Sequence, residues 1–239
     1  MSNYEYGDYR EVMPENLNDP HMPVLFLLDH STSMDGPAIQ NLNREVNKFP
    51  RDICRDARAA RCVEVAVVGF NGTPHVLQNW RPVDRMEEVH LVADGWTDLS
   101  AALKMGVDML RERSHVYQDI GLEVKMPYLI LVTDCCGGDV SEIASVIQRR
   151  TKEHKMQLWV LAVQGYDKKT AAVLTNGERI FELKDESDFD FSEFFNLMKI
   201  SAKAISASAP GQNRVTVKSD IGGPNSNMRV PDLDAWMNP

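Results

Sequence analysis

The apolar positions of the chain fall into runs of two kinds that alternate. PVLFLLD (23–29), VEVAVVGF (63–70), PYLILVTD (127–134) and LWVLAV (158–163) are apolar almost throughout, as parallel strands covered on both faces must be. Between them the spacing changes. Ile39, Leu42, Val46, Phe49 and Ile53 recur at three- and four-residue steps, which predicts an amphipathic helix with a kink at Pro50. Leu99, Leu103, Gly106, Val107 and Leu110 predict a second helix opening just past Gly95-Trp96-Thr97. Val140, Ile143, Ala144 and Ile147 mark a third, and Phe191, Phe194, Phe195, Met198 and Ala202 a last one. A short helix is expected near 168–175 and a strand at RIFEL (179–183). The Asn71-Gly72 pair is a hairpin turn signal, so HVLQNW (75–80) should fold back as an antiparallel edge strand. Repeated βα units of this kind predict an α/β fold: a doubly wound, mostly parallel six-stranded sheet with one antiparallel edge strand and helices on both faces.

The two ends lack this periodicity. Residues 1–22 are polar and acidic, residues 206–239 are rich in Ser, Gly, Pro and Asn, and the domain proper is expected over 23–205. The tail reads as flexible in isolation, although Leu233, Trp236 and Met237 give its last stretch the residues of a docking segment. Lysine and arginine number 26 against 35 acidic residues, so broad attraction to nucleic acid or to an anionic membrane is not expected. No apolar run is long enough for a membrane span, and MSNYEYGDYR has neither a basic nor an apolar leader segment. Cys54, Cys62, Cys135 and Cys136 lack zinc-site spacing and are too few for a secreted disulfide scaffold. A cytoplasmic chain with reduced thiols is the expectation.

The candidate chemistry lies where the strands end. Ligands of open α/β sheets bind outside the carboxyl ends of the strands. That edge should collect Asp29-His30-Ser31-Thr32-Ser33, Thr97-Asp98 and Thr133-Asp134. Oxygen-only sets suit Mg²⁺, Mn²⁺ or Ca²⁺, whereas zinc and copper favour His or Cys. A plainer account is open for the first cluster: Ser31 and Ser33 as caps of the helix starting near Pro37, and Asp29 as an acceptor for turn amides.

Asp29-x-Ser31-x-Ser33 after a buried strand, Thr97 before a later helix and Asp134 ending a later strand resemble, in that order, the von Willebrand factor A domain and its metal-ion-dependent adhesion site. The resemblance covers residues 23 to about 205. LFLLDHSTSM, PAIQNLNREV and TDLSAALKMGVDML look most like the TerY group of bacterial tellurium-resistance and stress clusters. It implies that Ser31, Ser33 and Thr97 bind a divalent cation directly, Mg²⁺ or else Mn²⁺ or Ca²⁺, with Asp29 and Asp134 holding it directly or through water. It further implies a protein partner that offers a Glu or Asp to the metal, possible partners in TerY-like systems being a co-encoded protein kinase or phosphatase. Ligation mostly by neutral hydroxyls leaves the ion's charge uncompensated, which favours such a carboxylate.

The chain also departs from the family pattern. His30 and Thr32 stand where many members carry a variable residue and Gly, and Trp96 where a small residue is frequent. Trp96 and His30 are therefore candidate partner contacts, with loop packing and a satisfied turn histidine as the plainer readings. Cys135-Cys136-Gly137-Gly138-Asp139 follows Asp134 where Gly is common. The paired thiols suggest an oxidant sensor or soft-ion site, or simply small loop residues, and Asp139 the N-cap of the next helix. The enzymatic alternative is a Mg²⁺-dependent phosphohydrolase built on Asp29. It would need an acid two residues on, where Ser31 stands. No P-loop, GxSxG or HExxH motif is present, so the chain reads as a non-catalytic module.

Overall fold

A computed structural model describes residues 12–163, 165–185, 189–208 and 221–231. The elements follow in chain order: β1 (Met22–Asp29), α1 (Pro37–Ile53), α2 (Ala57–Cys62), β2 (Val63–Phe70), β3 (His75–Pro82), α3 (Leu99–Asp119), β4 (Tyr128–Thr133), α4 (Ser141–Lys152), β5 (Gln157–Ala162), α5 (Lys168–Thr175), β6 (Ile180–Leu183), α6 (Ser192–Ser206) and β7 (Met228–Arg229). They build one sheet in the order β3-β2-β1-β4-β5-β6-β7. β1, β2, β4, β5 and β6 are parallel, and β3 is antiparallel at one edge.

Strand side chains alternate between faces, and the core divides accordingly. Val24, Phe26 and Leu28 point with Ile130 and Val132 toward α1, α2 and α6. Leu25, Leu27, Leu129 and Leu131 pack against α3, α4 and α5. Both faces of β1 and β4 are thus covered, which is why their sequences are unbroken apolar runs. The strand order reverses between β1 and β4. Their register pairs Leu28 with Val132, so the next residues, Asp29 and Thr133, emerge side by side at the switch point.

Three features differ from the sequence expectation. The sheet has seven strands rather than six, because Met228–Arg229 adds an antiparallel strand to β6. That strand comes from the stretch expected to be a flexible tail, and buried Met228 anchors it; Leu233, Trp236 and Met237 lie outside the described residues. Pro50 lies inside α1, which runs to Ile53 as the apolar stripe predicts. The short helix α2 carries no apolar stripe long enough to see in sequence, and Asp56 sets its start by accepting from the amides of Arg58 and Ala59. Finally, part of the polar N-terminal segment is built into the domain. His21 pairs with Val124 through His21 N–H to Glu123 O at 2.8 Å and Lys125 N–H to His21 O at 2.7 Å.

That segment closes over a buried polar cluster at the amino ends of the strands. Glu64 of β2 accepts from Arg113 and Tyr117 of α3, and His21 Nδ1 lies 3.2 Å from its other oxygen. Arg113 also donates to the carbonyl of Val12. Burial alone would raise the Glu64 carboxyl, but the His21 hydrogen bond, the Arg113 charge and the Tyr117 hydroxyl outweigh it and hold the group below its ordinary value. A carboxylate depressed on folding stabilises the fold above its unfolded pKa, roughly 4.3. This contribution is lost as pH falls through the lower folded value. Urea midpoints should therefore drop as pH falls below about 4.3, and Glu64→Gln should flatten that dependence. Arg113→Ala, which strands a buried carboxylate, should destabilise by roughly 3–5 kcal/mol; a change under 1 kcal/mol would contradict the cluster's role.

Candidate functional site

The residues singled out after β1 meet at the switch point. Asp29 is fully buried. Its Oδ1 accepts from the Ser31 amide at 2.9 Å and the Ser31 hydroxyl at 2.6 Å, and its Oδ2 accepts from the Thr133 hydroxyl at 2.6 Å. All three donors are neutral. Ser31 Oγ lies 3.0 Å from Ser33 Oγ, and Ser33 is exposed. Oxygens that share an octahedral Mg²⁺ sit about 2.9 Å apart when each is about 2.1 Å from the ion. The Ser31–Ser33 spacing matches one edge of such a shell.

The capping account of these serines fails. The cap position of α1 is Gly36, with no side-chain cap, and Ser31 precedes only a single 3₁₀ turn, Thr32–Met34, again without a side-chain cap. The Asp29 half of that account does hold, since Asp29 accepts a turn amide. Burial pushes the Asp29 carboxyl up; the Ser31 and Thr133 hydrogen bonds pull against it, and neighbouring Asp134 adds to the rise. Two adjacent carboxylates held by neutral donors are an environment a cation would relieve. Among the described residues, no group of three or more His, Cys, Asp or Glu is placed to hold a metal. An ion here would meet hydroxyl and carboxylate oxygens, a set that suits a hard cation.

Thr97 arrives on the segment between β3 and α3. The half-buried residue packs against Gly137, where an added Cβ would stand 2.7 Å from Thr97 O and 2.9 Å from Thr97 Cβ. Gly137 also has φ 134°, so glycine is required here by both backbone and space. Gly137 O accepts from Leu99 N–H at 3.3 Å, which joins the Thr97 loop to the loop carrying Asp134. Asp134 is 7% exposed and accepts from the Cys136 amide at 2.9 Å. Asp29, Ser31 and Ser33 are therefore linked atom to atom. Asp134 and Thr97 are brought to the same edge by the neighbouring loops. Thr133 was visible in the sequence only as part of its polar pair, and its bond to Asp29 follows from the β1–β4 register.

Three sequence readings are corrected here. His30 is buried; its Nδ1 faces Val92 O at 3.1 Å and its ring abuts His75. It pins a loop and is not part of a partner-facing surface. Asp139 is not the N-cap of α4, a position held by Val140; it accepts instead from the amide and hydroxyl of Ser141. Cys135 is fully buried with φ 57°, and burial together with the Asp134 charge holds its thiol well above the ordinary range. Burial and the same charge also raise Cys136. This is the reverse of what an oxidant sensor needs. Trp96 is 67% exposed and its indole lies over Gly72, where a Cβ would come within 2.6 Å of Nε1.

No family model matches the chain, and no curated protein matches it in sequence. Solved structures do match in shape. The pilus adhesin SpaC of Lactobacillus rhamnosus GG, in its open conformation, aligns with a TM-score of 0.62 at 12% identity, over 80% of this chain and 31% of the adhesin. The manganese-loaded TRAP protein of Plasmodium vivax aligns with a TM-score of 0.50 at 16% identity, over 73% of each chain. The proximal thread matrix protein 1 of the mussel byssus, with a zinc-occupied MIDAS motif, aligns with a TM-score of 0.52 at 16% identity over 77% of this chain and 46% of that one. The chain thus spans under a third of the adhesin's length. These likenesses show the fold alone, a doubly wound α/β sheet shared with those proteins. They give no support to the TerY subgroup. The expectation of a cytoplasmic chain is overturned by the same matches, since a pilus adhesin and a byssus matrix protein are surface and matrix components. Among the described residues no helix is long and apolar enough to cross a membrane.

Two outcomes follow from this geometry. Alkylation of the folded protein near pH 7.5 should modify exposed Cys54 and Cys136 first, and buried Cys62 and Cys135 only on unfolding, as read by peptide mass spectrometry; early labelling of Cys135 would contradict the packing. Gly137→Ala should push the Thr97 loop away and lower the urea stability by roughly 1–3 kcal/mol, whereas Gly121→Ala, with open space around its Cβ, should lack the steric part of that loss.

Proposed function

We propose that this protein is a metal-dependent protein-binding module. Asp29, Ser31, Ser33, Thr97 and Asp134 would hold Mg²⁺, or Mn²⁺ or Ca²⁺, at the switch point, and the ion would take a Glu or Asp side chain from a partner protein. The observation that carries this reading is the run of oxygens from Asp29 Oδ1 through Ser31 Oγ to Ser33 Oγ, spaced at 2.6 and 3.0 Å and opening from a buried carboxylate onto an exposed hydroxyl. Supporting it, two of the matched folds are named as manganese-loaded and as carrying a zinc-occupied MIDAS motif.

The chain's own residues prepare the site. Asp29 fixes the Ser31 hydroxyl and amide, Thr133 fixes Asp29, and Gly137 lets the Thr97 loop approach. The bound ion supplies Lewis acidity toward a carboxylate. Trp96, exposed beside Thr97 and braced on Gly72, offers the partner an apolar contact of the kind that dominates interface energetics. The sequence resemblance to the TerY group supports a bacterial stress or tellurite-resistance setting, with a co-encoded protein kinase or phosphatase as partner.

The test is a pull-down from source lysate with and without Mg²⁺, comparing wild type with Ser31→Ala plus Ser33→Ala. Partner recovery should require Mg²⁺ and fall at least about tenfold in the double variant, in line with the loss of direct ligands. Recovery that ignores both metal and mutation would refute the mechanism. Phosphatase turnover that disappears in Asp29→Asn would instead favour the hydrolase reading.

A further inference from the structure

Past the single 3₁₀ turn at Val83–Arg85, the segment leading to α3 has no regular secondary structure, yet it carries Trp96 and Thr97 to the site. What holds it lies on α1. Asn43 Nδ2 donates to Leu91 O at 2.9 Å while Leu91 N–H donates to Asn43 Oδ1 at 2.8 Å. One turn further along the helix, Asn47 Nδ2 donates to Val89 O at 2.7 Å and Val89 N–H donates to Asn47 Oδ1 at 2.8 Å. Each side-chain amide presents the donor and acceptor that a neighbouring strand would offer.

The spacing explains why two asparagines succeed. Residues four apart on a helix advance about 6 Å, and residues two apart on a strand-like segment about 6.6 Å. The rungs at 43 and 47 therefore meet residues 91 and 89 without strain in either element. The alternation of buried Val89 and Leu91 with exposed Glu88, His90 and Val92 shows the same strand-like period. Gln78 of β3 adds a further hold by accepting from the Glu87 amide at 2.8 Å.

Downstream of these rungs the segment meets the site itself. Asp94 N–H donates to His30 O at 2.8 Å, Thr32 N–H and Oγ donate to Gly95 O at 3.0 and 2.9 Å, and Asp98 N–H donates to Asn71 O at 2.8 Å. The turn holding Ser31 and Ser33 and the segment holding Trp96 and Thr97 are thus tied to each other and, through Asn43 and Asn47, to α1.

We propose that Asn43 and Asn47 are positioning residues of the site: a two-rung amide clamp that sets the Thr97 and Trp96 segment against the Asp29–Ser31–Ser33 turn, and so tunes cation affinity without touching the ion. The part of this that concerns cation affinity rests on the metal-binding reading above; the clamp of the segment does not.

Two readouts on the full chain separate these parts. The first is backbone hydrogen exchange at Thr32, Asp94 and Asp98 without added metal. The second is titration with MnCl₂ alone. Wild type is compared with Asn43→Ala plus Asn47→Ala, with the milder Asn43→Ala in case the double variant folds poorly, and with Leu110→Ala, a core truncation in α3 that destabilises without touching the clamp. Loss of the clamp should speed exchange at those amides at least tenfold and weaken Mn²⁺ binding about tenfold, while Leu110→Ala leaves both local readouts near wild type. Unchanged exchange in the clamp variants, or the same acceleration in Leu110→Ala, overturns the positioning role. Faster exchange with unchanged Mn²⁺ affinity overturns the tuning of the cation. A wild type that binds no Mn²⁺ refutes the metal reading, and the exchange result then decides the clamp alone.

Discussion

Asp29 ties together the ends of two adjacent parallel strands, and the rest of the site is arranged around that tie. One carboxylate oxygen faces Ser31 in its own turn and the other faces Thr133 at the end of β4. A carboxylate this deeply buried is costly unless its oxygens are satisfied. Neutral hydroxyls and an amide satisfy them only partly, so burial still raises the group's proton affinity. The arrangement is stable enough to fold and electrostatically receptive to a cation. Its position follows from topology: the strand order reverses between β1 and β4, and no crossover helix covers the gap there.

The site is built from loops, but the loops are not loosely held. Short side chains substitute for the missing ladders of secondary structure: Asn43 and Asn47 pair with the segment before α3, Asn71 Nδ2 donates to Asp94 O, and Thr32 Oγ donates to Gly95 O. Close approach does the rest, through Gly137 under Thr97 and Gly72 under Trp96. Preorganisation of this sort reduces the ordering that binding would otherwise have to bring about.

The opposite end of the sheet solves a different problem with the same economy of residues. Glu64, Arg113, Tyr117 and His21 satisfy one another away from water, and Arg113 extends the cluster to the carbonyl of Val12. Val12 and His21 of the polar N-terminal segment are thereby fastened to the domain. The candidate site and this polar cluster lie at opposite ends of the central strands.

How much of this was legible in the sequence depends on the range of the interaction involved. Uninterrupted apolar runs could only be strands covered on both faces, and the three-and-four periodicity fixed the helices between them. The doubly wound class and the strand-end placement of Asp29, Ser31, Ser33, Thr97 and Asp134 followed, because side-chain period and chain direction are local properties. Other features required partners far apart in the chain. The burial of His30 against Val92, the bond from Thr133 to Asp29, the asparagine clamp and the docking of Met228 on β6 each join residues whose sequence neighbourhoods say nothing of one another. The asparagines on α1 looked like an ordinary polar face until Val89 and Leu91 were seen to lie along it. Likewise, of the two thiols beside Asp134 the sequence could not say which is reachable, and packing buries Cys135 while leaving Cys136 exposed. Local periodicity determined which elements form. Tertiary packing decided which polar groups meet, because hydrogen-bond partners are chosen by distance in space and not by distance along the chain.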